Sequence, residues 1–121
     1  MRKQIIAGNW KMNKNHVEAK DLFHSILSSI KHTDKEVIIA PPFIHLAALI
    51  KLAKGTNIKI AAQNCHHQLF GAYTGDISAS MLSELGVHYV LLGHSERRLY
   101  HGENNTILSK KVDVSLSQNL N

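Results

Sequence analysis

The sequence predicts an α/β fold built on a parallel sheet, and three observations carry that prediction. Strand-like and helix-like segments alternate four times along the chain, in βα units of roughly thirty residues. The second strand-like run, Glu36-Val37-Ile38-Ile39-Ala40, is almost unbroken in its apolar character, as a parallel strand buried on both faces must be. Polar residues suited to chemistry stand just past the ends of the first, third and fourth runs. In parallel α/β folds ligands bind at those carboxyl ends.

The elements follow in order. Gln4 to Ala7 reads as the first strand. Asn15 with Glu18 three residues later is a capping box, and it opens a helix. Ala19, Leu22, Phe23, Ile26, Leu27 and Ile30 then recur on one helical face. Pro41-Pro42 stops the second strand, Glu36 to Ala40. A helix is expected over Ile44 to Lys54, with Gly55 at its left-handed cap. Asn57 to Gln63 reads as the third strand. The loop from Asn64 to Ile77 is long for a compact α/β unit, and such loops usually have a task. Ser78 caps a short helix that Gly86 ends, and Val87 to Leu92 reads as the fourth strand. Ile107, Leu108, Val112 and Leu116 mark a last helix.

Right-handed crossovers between such units make a parallel sheet. Two architectures fit: an open doubly wound sheet, or half of an eight-stranded barrel, whose full form needs about 250 residues. The glycine-rich phosphate turn of a dinucleotide fold is absent, because Gly8-Asn9-Trp10-Lys11 carries one glycine among large neighbours.

Composition narrows the function classes. The chain has 121 residues, 44% of them hydrophobic and 19% charged, which bounds it to one small globular domain over residues 1–121. Its net charge is +5, yet Lys and Arg never run longer than two. That spread argues against nucleic acid or a membrane surface and leaves an anionic small molecule as partner. A single cysteine, Cys65, excludes an internal disulfide framework and fits a reducing, cytoplasmic setting. The apolar run near the start is too short for a signal or spanning segment.

The chemistry lies in two strings, Gly8-Asn9-Trp10-Lys11-Met12-Asn13 and Leu92-Gly93-His94-Ser95-Glu96-Arg97-Arg98. They supply an amide donor, a cation and an imidazole, a set suited to polarising the carbonyl of a phosphorylated sugar. Taken singly, each has an ordinary explanation. A lysine after a strand is usually a solvated cap, an asparagine bonds its own loop, and a lone histidine is more often structural. It is the joint arrangement that carries the chemistry. Cys65-His66-His67 is weak as a metal site, since adjacent ligands have no second cluster at workable spacing. No metal is expected.

With Ala40-Pro41-Pro42, Ala62-Gln63-Asn64 and Gly71-Ala72-Tyr73-Thr74-Gly75, these strings occur in an order that resembles the N-terminal half of triosephosphate isomerase, over essentially the whole chain. The resemblance implies a TIM (β/α)8 barrel, of which this chain is a (βα)4 half barrel with parallel strands. It also implies cofactor-free interconversion of dihydroxyacetone phosphate and D-glyceraldehyde 3-phosphate, in glycolysis and gluconeogenesis, by a homo-oligomer. On that resemblance His94 is the neutral electrophile, and Lys11 and Asn9 are catalytic and bind substrate. Glu96 is a supporting carboxylate paired with Lys11. Ser95, Arg97 and Glu103 support the site, the last two as an ion pair. Phe70, Tyr73 and Thr74 belong to a loop that enters the partner subunit. Two mild departures are Asp76, where glutamate is usual, and Asn104-Asn105, where acidic residues are commoner.

No carboxylate with a clear claim to be the proton-abstracting base occurs up to Asn121. The expectation is a chain that is inactive alone, with its first and fourth strands as open edges, and that self-associates or pairs with a C-terminal half. The alternative is a non-catalytic remnant that keeps only the polarising residues.

Overall fold

The structure, a computed structural model, describes residues 2–121. Four parallel strands form one sheet in the order β1 (Ile5–Asn9), β2 (Glu36–Ala40), β3 (Ile58–Ala62) and β4 (Tyr89–Val90). Helices α1 (His16–Ser29), α2 (Leu46–Ala53) and α3 (Ala79–Leu85) connect them, and α4 (Ser95–Tyr100) and α5 (Asn105–Ser117) follow β4. This is the half barrel that the sequence predicts. Consecutive strands are neighbours throughout, so the strand order never reverses as a doubly wound sheet requires.

Local signals set the helix boundaries. Asn15 and Glu18 close the capping box reciprocally, at 3.4 and 3.3 Å. Ser78 caps α3 through the Met81 amide, and Gly86 ends it in the left-handed region at φ 99°. The second helix begins differently from expectation: its first turn, Phe43–His45, is a 3-10 turn that then becomes α2.

The β2 run divides its side chains between two layers, as period-2 geometry requires. Val37 and Ile39 join Phe23, Leu49, Ile60 and Leu82 between sheet and helices. Ile38 and Ala40 join Ala61 on the concave face, against Tyr89 and Leu91. The sheet is thus covered on both sides at β2 and β3. At β1 it is not, because Ile5 and Ile6 remain exposed.

Several sequence expectations need correction. β1 runs two residues further, to Asn9, because Asn9 pairs in register with Ala40. β4 is reduced to Tyr89–Val90, although Leu91 still donates to the Ala62 carbonyl at 2.9 Å. Its outer edge is also not bare. Val90 donates to the Asn121 carbonyl at 2.9 Å, and Asn121 donates to the His88 carbonyl at 3.2 Å. The chain therefore returns from α5, buries Leu120 and begins a fifth strand position beside β4.

The last helix forms where predicted, and the face it turns inward is largely polar. Leu108, Lys111 and Ser115 are buried, whereas Val112 and Leu116 are exposed. The reason is polar: Lys111 bonds Asn64 and Glu103, and Ser115 meets the Cys65 thiol at 3.3 Å. Satisfying those buried groups outweighs burying two more aliphatic side chains.

Phe23 is fully buried at the centre of the helix layer, so Phe23→Ala should lower unfolding free energy by about 3–5 kcal/mol in urea titration. Val112→Ser and Leu116→Ser, on the exposed face, should each change it by no more than about 0.5 kcal/mol.

Candidate active site

The carboxyl ends of β1, β3 and β4 converge on one cleft of about 170 Å³. Asn9, Lys11, Gln63, Asn64, His94, Glu96 and Arg97 line it, with Met12, Phe43 and His101 at its margins. Residues more than eighty positions apart in sequence meet here because parallel strands with right-handed crossovers place every carboxyl end on one rim.

The Asn9-to-Lys14 turn has an unusual backbone. Lys11 and Lys14 adopt positive φ, 55° and 76°, in the left-handed region that side-chain-bearing residues avoid. Asn9 Oδ1 accepts from the Lys11 amide at 2.9 Å, an Asx turn that starts the bend. The Lys11 ammonium then reaches Glu96 Oε1 at 2.7 Å. This hydrogen bond, with the accompanying charge attraction, holds the Glu96 carboxyl below the ordinary carboxylate range. Both side chains remain about half exposed, so the pair orients groups more than it stabilises the fold.

His94 is the N-cap of α4, and its Nδ1 accepts from the Glu96 amide at 3.1 Å. An accepting nitrogen carries no proton, so the neutral ring bears its proton on Nε2. That leaves Nε2–H as the donor to any carbonyl lodged in the cleft.

Beneath the cleft lies a charge network that is only partly legible in sequence. Arg97 Nε donates to Glu103 Oε2 at 2.6 Å, the expected ion pair. Lys111 Nζ shares the same oxygen at 2.7 Å and also donates to Asn64 Oδ1 at 2.8 Å. The Lys111 and Glu103 side chains are each only 5% exposed. Burial pushes the Glu103 carboxyl up, but its bonds to Lys111 and Arg97 outweigh that and hold it below its usual value.

Other sequence candidates lie apart from the cleft. Ser95 opens α4 and is exposed, and its hydroxyl makes none of the bonds that order the site. Thr74 does not line the cleft either. In the loop 64–77, Tyr73 folds back on His66 with ring centroids 4.0 Å apart, while Phe70 stands 86% exposed. His66 faces Asp76 at 3.6 Å, and the Cys65 thiol points to Ser115 in the core. Burial raises the Cys65 pKa, as expected for an inert structural thiol. Among the described residues no group of three or more His, Cys, Asp or Glu side chains is arranged to hold a metal ion. Nor is any helix among them long and apolar enough to cross a membrane.

Sequence reasoning missed Gln63, Asn64 and Lys111 as site-ordering residues. Gln63-Asn64 was visible as a polar pair after β3. Lys111 gave no signal at all, since a lysine on an amphipathic helix normally reads as solvent-facing.

A parallel βα half barrel with a polar, cation-bearing cleft at its strand ends defines the class as TIM-barrel. Within that class, the family model for triosephosphate isomerase matches residues 4–121. The chain is 51% identical to triosephosphate isomerase of Alkaliphilus oremlandii, over 99% of this chain and 48% of that protein. It is 50% identical to that of Flavobacterium psychrophilum, over 96% of this chain and 47% of that protein. The crystal structure of the Bartonella henselae triosephosphate isomerase superposes with a TM-score of 0.90 at 39% identity, covering 98% of this chain and 49% of that one. The chain belongs to the triosephosphate isomerase family. It spans about half the length of the curated relatives it matches.

The geometry generates two predictions. A group whose folded pKa is lowered contributes stability that is complete above the unfolded value, near 4.3, and is lost as pH falls through the folded value. Glu103→Gln should therefore flatten the loss of stability below about pH 4.3 relative to the unsubstituted chain, read by chemical denaturation across pH. Nitrogen-15 NMR at neutral pH should find His94 protonated on Nε2; an Nδ1–H tautomer would contradict the geometry.

Proposed function

We propose that this chain is the N-terminal half of a triosephosphate isomerase barrel, folding as one unit over residues 1–121. The reaction it serves interconverts dihydroxyacetone phosphate and D-glyceraldehyde 3-phosphate through an enediolate. One observation carries the reading: Asn9, Lys11 and His94 line a single cleft, and His94 Nδ1 is occupied by a backbone N–H.

The chemistry follows from that arrangement. A carbon beside a carbonyl gives up a proton only if the oxygen can take the negative charge. His94 Nε2–H donates to that oxygen and relays protons between the two oxygens of the enediolate. In giving its Nε2 proton to one oxygen the neutral ring becomes an imidazolate, and it returns to the neutral form by taking the proton of the neighbouring oxygen. Lys11 offsets the charge of phosphate and enediolate, and Asn9 donates its amide to a substrate oxygen. Preorganised donors of this kind cost no reorganisation as charge develops. Glu96 holds Lys11 on the His94 side of the cleft, and the Arg97–Glu103 pair supports the floor. Ser95 is assigned only a supporting place at the start of α4.

Glu96 is the single carboxylate that lines the cleft among the described residues, and it is engaged by Lys11. We therefore assign the proton-abstracting base to a carboxylate outside residues 1–121. The exposed Phe70, with Tyr73 and Thr74, forms the surface through which a homodimer is built. The function is cofactor-free and cytoplasmic.

Turnover of dihydroxyacetone phosphate tests the reading. The chain is assayed alone and then joined to the remaining half-length of its relatives. The joined form should be active, and His94→Ala should lower its rate by roughly 10² to 10⁴-fold. No turnover in the joined form would make the chain a non-catalytic member of the family.

A further inference from the structure

The amide of Gln63 sits where three strand ends meet. Its Nε2 lies 2.8 Å from the Ala40 carbonyl, 2.9 Å from the Lys11 carbonyl and 3.3 Å from Asn9 Oδ1. All three neighbours are acceptors, so the amide nitrogen, not its oxygen, must face them. Two N–H groups serve three acceptors. The two short bonds tie the Lys11 turn to the end of β2, and the long one shares a proton with Asn9.

The turn needs such support. Lys11 and Lys14 both hold positive φ without being glycine, and conformations of that kind persist only where the surroundings over-determine them. Three carbonyls of the turn, those of Trp10, Lys11 and Lys14, are answered by side chains. Asn13 Nδ2 donates to the Trp10 carbonyl at 2.9 Å, and Gln63 serves that of Lys11. His45 Nε2 meets the Lys14 carbonyl at 2.7 Å. Of these donors, Gln63 alone contacts both Lys11 and Asn9, the cation and the amide assigned to the substrate.

We propose that Gln63 is a positioning residue that clamps the left-handed backbone of Lys11 onto β2, so that the Lys11 ammonium enters the cleft already aimed. The amide touches no reacting atom; it acts through Lys11 and Asn9. Its effect is preorganisation, because a cation on a free loop must be ordered at every encounter, whereas a clamped one is not. The proposal rests on the isomerase reading for the purpose of the aim but not for the clamp itself.

The Glu96 carboxyl reports where the Lys11 ammonium is, since their bond at 2.7 Å holds it low. Gln63→Met keeps the length of the side chain and removes the donor. Carbon-13 NMR titration of Glu96 in Gln63→Met should give a midpoint raised toward the ordinary carboxylate range. The rise should be at least about half of that seen in Lys11→Met, since displacing the ammonium and deleting it remove the same bond. A purely structural glutamine would lower stability and leave that midpoint in place. Gln63→Ser, smaller and free of steric burden, provides the same readout if Gln63→Met does not fold. An unmoved Glu96 midpoint in either folded variant overturns the proposal. In the joined, active barrel Gln63→Met should also lower kcat/KM by roughly 10 to 100-fold, the scale of a misplaced catalytic group. A normal kcat/KM would overturn the aiming role. If the unsubstituted barrel shows no turnover, the isomerase reading fails alone, because the Glu96 titration needs no substrate.

Discussion

The in-register parallel pairing of β1, β2 and β3 is the constraint on which everything else in this molecule depends. Asn9 stands opposite Ala40, and Ile39 opposite Ile60, so the three strands end at nearly one level. Because each crossover returns the chain in the same direction, every turn after a strand opens on the same rim. The cleft is the consequence. A slip of one residue in β1 would move Asn9 away from Gln63 and turn Ile6 and Gly8 to the opposite faces. The burial of Val37 and Ile39 on one side and Ile38 and Ala40 on the other opposes any such slip in β2.

A second layer of order lies below the rim and is ionic. Lys111 comes from α5, Glu103 from the segment before it, Asn64 from the end of β3 and Arg97 from α4. One carboxylate oxygen of Glu103 accepts from two cations, while its other oxygen, Oε1, is buried without a partner among the described residues. Removing one member of such a buried set leaves an uncompensated charge, which is why these groups behave as a unit. The network fastens the root of loop 64–77 to the helix that carries Arg97. Loop and cleft are therefore mechanically continuous, although Thr74 and His94 do not share a pocket.

The two sides of the sheet end differently. β4 already has Asn121 bonded on its outer edge, with Leu120 buried behind it. Among the described residues β1 has no such cover: Ile5 and Ile6 are about half exposed beside an apolar cavity of about 230 Å³ lined by Trp10, Ile26, Ile30 and Val37. An apolar parallel strand left open is an association hazard. In the longer relatives of the family, of which this chain spans about half, further length is available to cover it.

The sequence by itself determined the class of the fold, the order of its elements and five of the residues that line the cleft, Asn9, Lys11, His94, Glu96 and Arg97. Those features are local. The capping box at Asn15 and Glu18, the Ser78 and Gly86 boundaries of α3, and the all-apolar β2 are each written within a few neighbouring residues. The strings around Lys11 and His94 were legible in the same way, because strand-end turns are short and their chemistry is contiguous. What the tertiary structure decided were the long-range choices. Which face of α5 turns inward depends on Asn64 and Glu103, more than forty residues away in the one case, while the apolar Val112 and Leu116 stay exposed. The extent of β4 depends on what pairs with its outer edge. The Gln63 clamp depends on acceptors from β1, β2 and the turn after β1 arriving together. Periodicity records which side chains avoid water; it does not record which distant polar partner makes a buried lysine or a shared amide worth more than another aliphatic contact.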